Sequence, residues 1–165
     1  MLYFAYGSNM SYRRLRLRIR SCQSLGIARL ARHRLAFHKI SENDGSGKCD
    51  AFYTGEQHDV VIGVLYQIDK NDLPILDRFE GQGYGYRRDP VIVQTDSGNV
   101  VEAQTYLALR IDPELLPYRW YKNHVLQGAI ENRLPDNYIE IIENLPTLPD
   151  PDPLRTTREM AIYSQ

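Results

Sequence analysis

The spacing of apolar residues changes along the chain, and this change constrains the fold more than any other feature of the sequence. The first two thirds hold short apolar runs typical of strands, such as VVIGVLYQI at 60–68. The last third has the three-to-four-residue spacing of helices, in PYRWYKNHVLQGAIENRLP and in PDNYIEIIENL. Strands followed by helices, without regular alternation of the two, predict an α+β fold rather than a doubly wound parallel sheet.

Turn residues delimit the most distinct strands. MLYFAY at the start is apolar and aromatic, and Gly7-Ser8-Asn9 ends it. Further along, YRRDPVIVQT and VVEAQTYLAL flank Asp96-Ser97-Gly98-Asn99, which is a strong signal for a β-hairpin. We therefore predict a short buried strand at the N-terminus and a hairpin centred on residues 96–99.

The remaining segments give weaker signals. Two β-like stretches lie around 25–30 and 35–40, and the polar segment ISENDGSGKCD after them is predicted to be an exposed loop. The proline-rich PTLPDPDP is predicted to be extended and to lie on the surface. We find no internal repeat and no linker, so residues 1–165 are expected to form one domain.

Helix punctuation surrounds the segment NDLPILDRFEG. Asn71 or Asp72 can cap its start, and Gly81 can end it. Three apolar side chains are expected to share one face: Leu73, Leu76 and Phe79. Glu80 would then lie in the last turn, where the helix dipole disfavours a negative charge.

The charges are segregated although their totals nearly balance, at 20 basic and 21 acidic residues. No acidic residue precedes Glu42, whereas nine basic ones do. Ser11 could cap a helix through the arginines, but the alternation RLRLRIR favours a strand, so this segment is ambiguous. Its function is equally open, between a nucleic-acid-binding segment and a solvated face paired with acidic residues.

Several function classes lack the residues that they need. The four histidines are scattered, without the spacing of metal ligands, and the G-x-S-x-G and phosphate-loop patterns are absent. GQGYGYRR precedes a strand rather than opening a helix, so it does not match a dinucleotide fingerprint. Two cysteines indicate no disulfide framework, and no signal peptide or membrane span is recognisable, so we expect a cytoplasmic protein. We expect no metal and no cofactor.

The turn Tyr6-Gly7-Ser8-Asn9 is a candidate binding element. A glycine directly after a buried strand lets the backbone approach a ligand, and successive N–H groups can bind an anion or an oxyanion. The spacing alone favours a simple tight turn over a binding element. The residues alone therefore leave the role of this turn open.

Four motifs in register give the chain a family resemblance. YFAYGSNM, LDRFEG, QTYLA and YKNHVLQGAIENRLPDNY, which together span roughly residues 3–145, resemble the γ-glutamylcyclotransferase family. The resemblance implies a small, mostly antiparallel β-barrel-like sheet with flanking helices, and a helix after the Y-G-S-N turn. It also implies an internal acyl transfer that converts a γ-glutamyl compound to 5-oxoproline and a free amine or amino acid, as in glutathione metabolism.

The resemblance also implies roles for individual residues. Glu80 matches the family's catalytic glutamate, and Tyr121 matches a tyrosine that contacts the substrate. The implied substrate loop is Tyr3, Phe4, Ala5, Tyr6, Gly7, Ser8 and Asn9. Tyr86 and Tyr106 are expected to be walls of the pocket.

Two departures from the family pattern bear on specificity and partners. The loop 81–86 is short, and Arg133 stands where relatives often have glycine. Because the short loop 81–86 changes the rim of the implied pocket, the preference for a particular leaving group stays open. A small-molecule γ-glutamyl substrate is the implied partner, with neither nucleic acid nor membrane, and a homodimer is a hypothesis from the habits of small enzymes. The alternative is a non-catalytic module of the same fold that binds nucleic acid through its arginine-rich segment.

Overall fold

The structure, a computed structural model, describes residues 1–164. It combines seven strands with five α-helices and short 3₁₀ turns. The strands are β1 (Leu2–Ala5), β2 (Gln23–Ala31), β3 (His33–Ile40), β4 (Gly47–Tyr53), β5 (Val60–Gln67), β6 (Tyr86–Thr95) and β7 (Val100–Ala108). The helices are α1 (Tyr12–Arg18), α2 (Leu73–Glu80), α3 (Arg119–Glu131), α4 (Asp136–Glu143) and α5 (Pro153–Met160).

Five strands close into a small barrel in the order β1-β5-β2-β6-β7, and β3 and β4 form a separate two-stranded sheet. All barrel pairs are antiparallel except β1 and β7, which meet in parallel at Tyr3 and Gln104. The prediction of an α+β fold with a mostly antiparallel barrel-like sheet is therefore confirmed. The parallel contact positions the end of β1 beside β7, and both strands contribute residues to the site described below.

The strands and turns with clear sequence signals are where we predicted them. The hairpin pairs β6 with β7 from Tyr86–Ala108 to Gln94–Val100, around the turn at 96–99. The apolar run of β5 is central, because β5 pairs with both β1 and β2. Gly63 in β5 lets β1 approach closely, since a β-carbon there would lie 2.4 Å from the carbonyl oxygen of Ala5.

The ambiguous arginine segment is a helix. Ser11 caps α1 by accepting a hydrogen bond from the Arg14 amide, which confirms the predicted cap. Leu15 is completely buried, whereas Leu17 is 69% exposed. The alternation in RLRLRIR therefore does not indicate a strand here. The structure contains the helix that the resemblance implied after the Y-G-S-N turn.

Two local predictions were wrong, each because tertiary contacts decide the outcome. The segment predicted to be an exposed loop becomes β4 from Gly47 onward, and Cys49 is buried there. Phe79 does not join the buried face of α2, since it is 55% exposed and its ring lies 4.9 Å from the Arg18 guanidinium. The chain also forms α5 after the proline-rich segment, capped by Asp152, which the sequence analysis missed.

Helices α1 and α3 cover one end of the barrel, around the Ser8–Met10 turn that follows β1. Core side chains from the barrel and from these helices form one buried cluster, which includes Phe4, Leu15, Tyr66, Leu76 and Val125. Within residues 1–164, none of the helices has the length and the apolar content that crossing a membrane requires.

Candidate active site

The turn after β1 forms the floor of the candidate site. Gly7 follows the strand, and residues 8–10 make one turn of 3₁₀ helix that is closed by a hydrogen bond from the Met10 amide to the Gly7 carbonyl. A β-carbon at position 7 would lie 3.0 Å from the β-carbon of Cys49 and 3.6 Å from the Tyr121 hydroxyl. The turn therefore packs closely against β4 and α3, and a larger residue at position 7 would displace Cys49 by a few tenths of an ångström.

Glu80 is the carboxylate that faces this turn. It is the last residue of α2, which ends because Gly81 adopts a left-handed conformation with φ of 62°. Its Oε1 accepts hydrogen bonds from Arg18 Nη1 at 2.8 Å and from Asn9 Nδ2 at 3.0 Å. The helix end disfavours the ionised carboxylate, whereas these two donors stabilise it.

The two donors leave the carboxylate asymmetric. Both bonds go to Oε1 of Glu80, and no donor among residues 1–164 occupies Oε2. The side chains of Arg18 and Glu80 each retain 15% exposure, so the pair is partly screened by the protein. Oε2 is therefore the carboxylate oxygen without a hydrogen-bond donor among the described residues.

Tyrosine hydroxyls line the walls of the cavity and are fixed by specific partners. The Tyr3 hydroxyl accepts from Asn9 Nδ2 at 2.9 Å, and the Tyr86 hydroxyl donates to the Cys49 carbonyl at 2.7 Å. The Tyr121 hydroxyl accepts from the Cys49 amide at 3.0 Å. Burial raises the pKa of Tyr3, Tyr86 and Tyr121, so these groups stay neutral at physiological pH.

Tyr106 joins the site to β7. Its hydroxyl donates to Asp77 Oδ1 at 2.8 Å, and Asp77 also pairs with Arg88 at 2.5 Å. The backbone carbonyl of Tyr106 accepts from the hydroxyl of Tyr6. Burial raises the pKa of Tyr106 as well. These bonds hold α2 against the hairpin, and so they position the end of the helix that carries Glu80.

The structure brings most of the predicted site residues around one cavity. Tyr3, Tyr6, Gly7, Ser8, Asn9, Glu80, Tyr86, Tyr106 and Tyr121 all line it. Phe4 and Ala5 do not line it; the side chain of Phe4 points to the opposite face of β1 from Tyr3 and packs beside Gly63 of β5. The lining also includes Cys49 and Thr105, which the sequence analysis missed.

The missed residues had no local signal that pointed to the site. Cys49 falls in the segment that was predicted to be a loop, and its place in the lining depends on the pairing of β4 with β3. Burial raises the pKa of its thiol, so this cysteine is a weak nucleophile. Thr105 donates to the Phe4 carbonyl at 2.8 Å, and it holds β7 against β1.

The arginine-rich segment is drawn into the protein. Arg18 pairs with Glu80, and Arg14 pairs with Glu159 of α5 at 2.9 Å. Arg16 lies 5.8 Å from the ring of Tyr12 and donates to a backbone carbonyl. Two of the arginines thus belong to the surroundings of the site rather than to a free basic surface.

The part of the chain that the structure describes contains no arranged set of metal ligands. No group of three or more His, Cys, Asp or Glu side chains is placed there to hold an ion. His38 instead contacts Asp50 at 3.0 Å. Carboxylate, amide, hydroxyl and backbone groups are the available chemistry, and they suit binding and proton transfer.

Comparisons with known proteins give one consistent family. Residues 60–142 match the model of the AIG2-like family. The chain is similar to γ-glutamylcyclotransferase from Bos taurus, at 34% identity over 142 residues, which is 83% of this chain and 74% of that protein. The corresponding Homo sapiens protein is 35% identical over 144 residues, covering 84% and 75%. A solved γ-glutamyl cyclotransferase superposes with a TM-score of 0.89 at 29% identity, covering 100% of this chain and 99% of that one.

Proposed function

We propose, since this chain belongs to the γ-glutamylcyclotransferase family, that its tyrosine-lined cavity holds a γ-glutamyl group and cyclises it to 5-oxoproline. The observation that carries this proposal is the position of Glu80. Its carboxylate faces the turn at residues 7–9, with Oε1 held by two donors and Oε2 free. A carboxylate fixed in this way can accept a proton from an amine without losing its orientation.

The reaction is an internal acyl transfer. The α-amine of the glutamyl group attacks its own γ-carbonyl carbon, so a new carbon–nitrogen bond closes a five-membered ring. The bond from that carbon to the departing nitrogen then breaks. Nucleophile and electrophile belong to one molecule, and holding it folded exploits effective molarities on the order of 10⁵ M or more.

Glu80 is proposed as the proton carrier of this reaction. An α-ammonium with a pKa near 8 is only about one tenth free base at pH 7, so the amine needs an acceptor for its proton. The Oε2 oxygen takes that proton and returns it to the departing nitrogen. The ring nitrogen loses a second proton as the ring closes, and this proton ends on the released amine, which leaves as an ammonium. Protons therefore balance within one turnover, and no further reactant is needed.

The turn and the tyrosines are proposed to bind the substrate. The amide N–H groups of Gly7 and Ser8 have no hydrogen-bond acceptor among residues 1–164, so they are available to the substrate carboxylate or to the developing oxyanion. One such donor to an oxyanion contributes roughly 3 kcal/mol of barrier lowering. Because the pKa values of Tyr3 and Tyr121 are raised, their neutral hydroxyls add no repulsion to an anionic ligand.

The test is release of 5-oxoproline from γ-glutamyl-alanine, glutathione and ε-(γ-glutamyl)-lysine, compared between wild type and Glu80→Gln. We expect Glu80→Gln to lower kcat about 100-fold or more, since a positioned general base contributes that much. Glu143→Gln is the matched control, because Glu143 is also the last residue of a helix but is exposed. Absence of product from every compound, or full activity of Glu80→Gln, would refute the proposal.

A further inference from the structure

A larger groove adjoins the tyrosine-lined cavity. The cavity has a volume of about 30 Å³, and the groove has about 410 Å³. The two share Ser8, Glu80, Tyr86 and Tyr121. The cavity is too small for a whole γ-glutamyl conjugate. A γ-glutamyl compound bound at Glu80 must therefore extend into the groove.

The groove carries an excess of positive charge. Its cationic side chains are Arg14, Arg18, Lys39, Lys48, Arg155 and Arg158, and its anionic ones are Asp44, Glu80 and Glu159. Four of the six cations have an anionic partner: Arg14, Arg18, Lys48 and Arg155. Within residues 1–164, Lys39 and Arg158 form no ion pair.

Lys39 is the unusual member of this set, because it is buried. Only 8% of the residue is exposed, and its ammonium lies 4.8 Å from the centre of the Tyr86 ring. None of its three N–H donors has a hydrogen-bond acceptor among the described residues. Burial lowers the pKa of this amine, while the negative charge of Glu80 acts in the opposite direction. This ammonium is thus partly desolvated, and apart from the Tyr86 ring it has no partner among the described residues.

The backbone around Lys39 fixes its position. Lys39 lies in β3, where it pairs with Lys48 of β4 and bridges to Ile111. Gly85 leaves room for its ammonium, since a β-carbon there would lie 3.2 Å from Nζ. The donor is thus held beside Tyr86, a residue that lines both the cavity and the groove.

We infer that Lys39 binds a carboxylate on the leaving group, and that the groove selects γ-glutamyl conjugates of dicarboxylic amino acids. This inference rests on the proposed function. Such a leaving group carries two carboxylates, and the groove offers two cations that no protein carboxylate neutralises, the buried Lys39 and the exposed Arg158 at its rim. These two cations give the groove a net positive potential, which favours the conjugate with the additional carboxylate.

The test compares γ-glutamyl-glutamate with γ-glutamyl-glutamine, which have nearly the same shape and differ by one charge. We expect wild type to favour the glutamate conjugate by about tenfold or more in kcat/KM, because a charge-assisted hydrogen bond discriminates to that extent. Lys39→Met should reduce this ratio to near one, Lys39→Arg should restore part of it, and Lys70→Met, at an exposed position, should keep it. Salt should lower the wild-type ratio.

Each outcome is decisive. A wild-type ratio near one, with both compounds turned over, overturns the inference about the groove and leaves the proposed function standing. A ratio that Lys39→Met does not change overturns the role of Lys39. If γ-glutamyl-alanine and both conjugates release no 5-oxoproline, the proposed function fails and the inference fails with it. The wild-type ratio and its salt dependence decide the matter even where Lys39→Met does not fold.

Discussion

Gly128 lies where α3 crosses the turn that follows β1, and we predict that Gly128→Ala forces the two apart. A β-carbon at position 128 would lie 2.4 Å from the amide nitrogen of Ser11 and 2.6 Å from the β-carbon of Met10. Ordinary contacts begin at 3.4 Å. The helix and the turn must therefore separate by about 1 Å, because backbone atoms cannot rotate away as a side chain would.

Two effects of opposite sign decide the stability of this variant. Alanine is better than glycine inside a helix by about 1 kcal/mol. Overpacking a close contact costs about 1–3 kcal/mol, and contact with backbone argues for the upper end. The net expectation is a loss of about 2 kcal/mol in the free energy of unfolding. In a chain of this length, that loss lowers Tm by about 4–8 °C.

The same displacement should reach the candidate site. Asn9 lies in the displaced turn and donates to Glu80, so a shift of about 1 Å changes how the carboxylate is held. Misplacement on that scale can cost about 100-fold in rate. We therefore expect kcat/KM for 5-oxoproline release to fall at temperatures where the variant is still folded.

Urea denaturation and steady-state kinetics test both parts, with Gln127→Ala on the same helix as the control. Gln127→Ala should change neither stability nor rate by more than a small factor. If Gly128→Ala proves as stable as wild type, helix propensity outweighs the contact and the packing argument is wrong. If it is destabilised but retains full kcat/KM, the turn is not coupled to the site.

Two further predictions concern stability. Arg133 ends α3 in a left-handed conformation with φ of 54°, so Arg133→Gly should raise the free energy of unfolding by about 1 kcal/mol in urea denaturation; an unchanged or lower value would contradict this. Burial lowers the pKa of His124 to about 4, whereas an unfolded histidine titrates near 6.5. Between these values only the unfolded chain takes up the proton, so the free energy of unfolding should fall by up to about 3 kcal/mol from pH 6.5 to pH 4. His124→Gln should flatten this dependence and the exposed His58→Gln should not, and the reverse pattern would refute the assignment.

The local sequence was sufficient to place the ends of helices and strands wherever a turn needs a backbone conformation that few residue types adopt. Gly81 was predicted to end α2, and it does so in the left-handed region that glycine tolerates. Asp96 to Asn99 form the predicted hairpin turn. Tyr6 to Asn9 and Glu80 lie at such punctuated ends and line one cavity, but it was the family resemblance and not a local signal that implied their roles.

Secondary structure was predicted wrongly where buried contacts stabilise an element that the local sequence does not favour. The polar residues of β4 read as a loop, yet Asp50 is buried because it accepts from the Ala108 amide at 2.8 Å and contacts His38. Helix α1 has the alternation of a strand, but the cap at Ser11 and the burial of Leu15 favour the helix. The partners of Asp50 lie 12 and 58 residues away, so a short window around β4 lacks the deciding information, whereas the cap of α1 is local and was predicted.

The charge segregation now has a structural consequence. Since no acidic residue precedes Glu42, every arginine of the N-terminal segment that forms an ion pair must find its partner far along the chain. Arg18 reaches Glu80, 62 residues away, and Arg14 reaches Glu159, 145 residues away. Exposed pairs of this kind contribute little stability, but these two are largely shielded from solvent. The geometry of the site therefore depends on docking α2 and α5 against α1, and the Glu80 carboxylate is held in this position only in the fully folded chain.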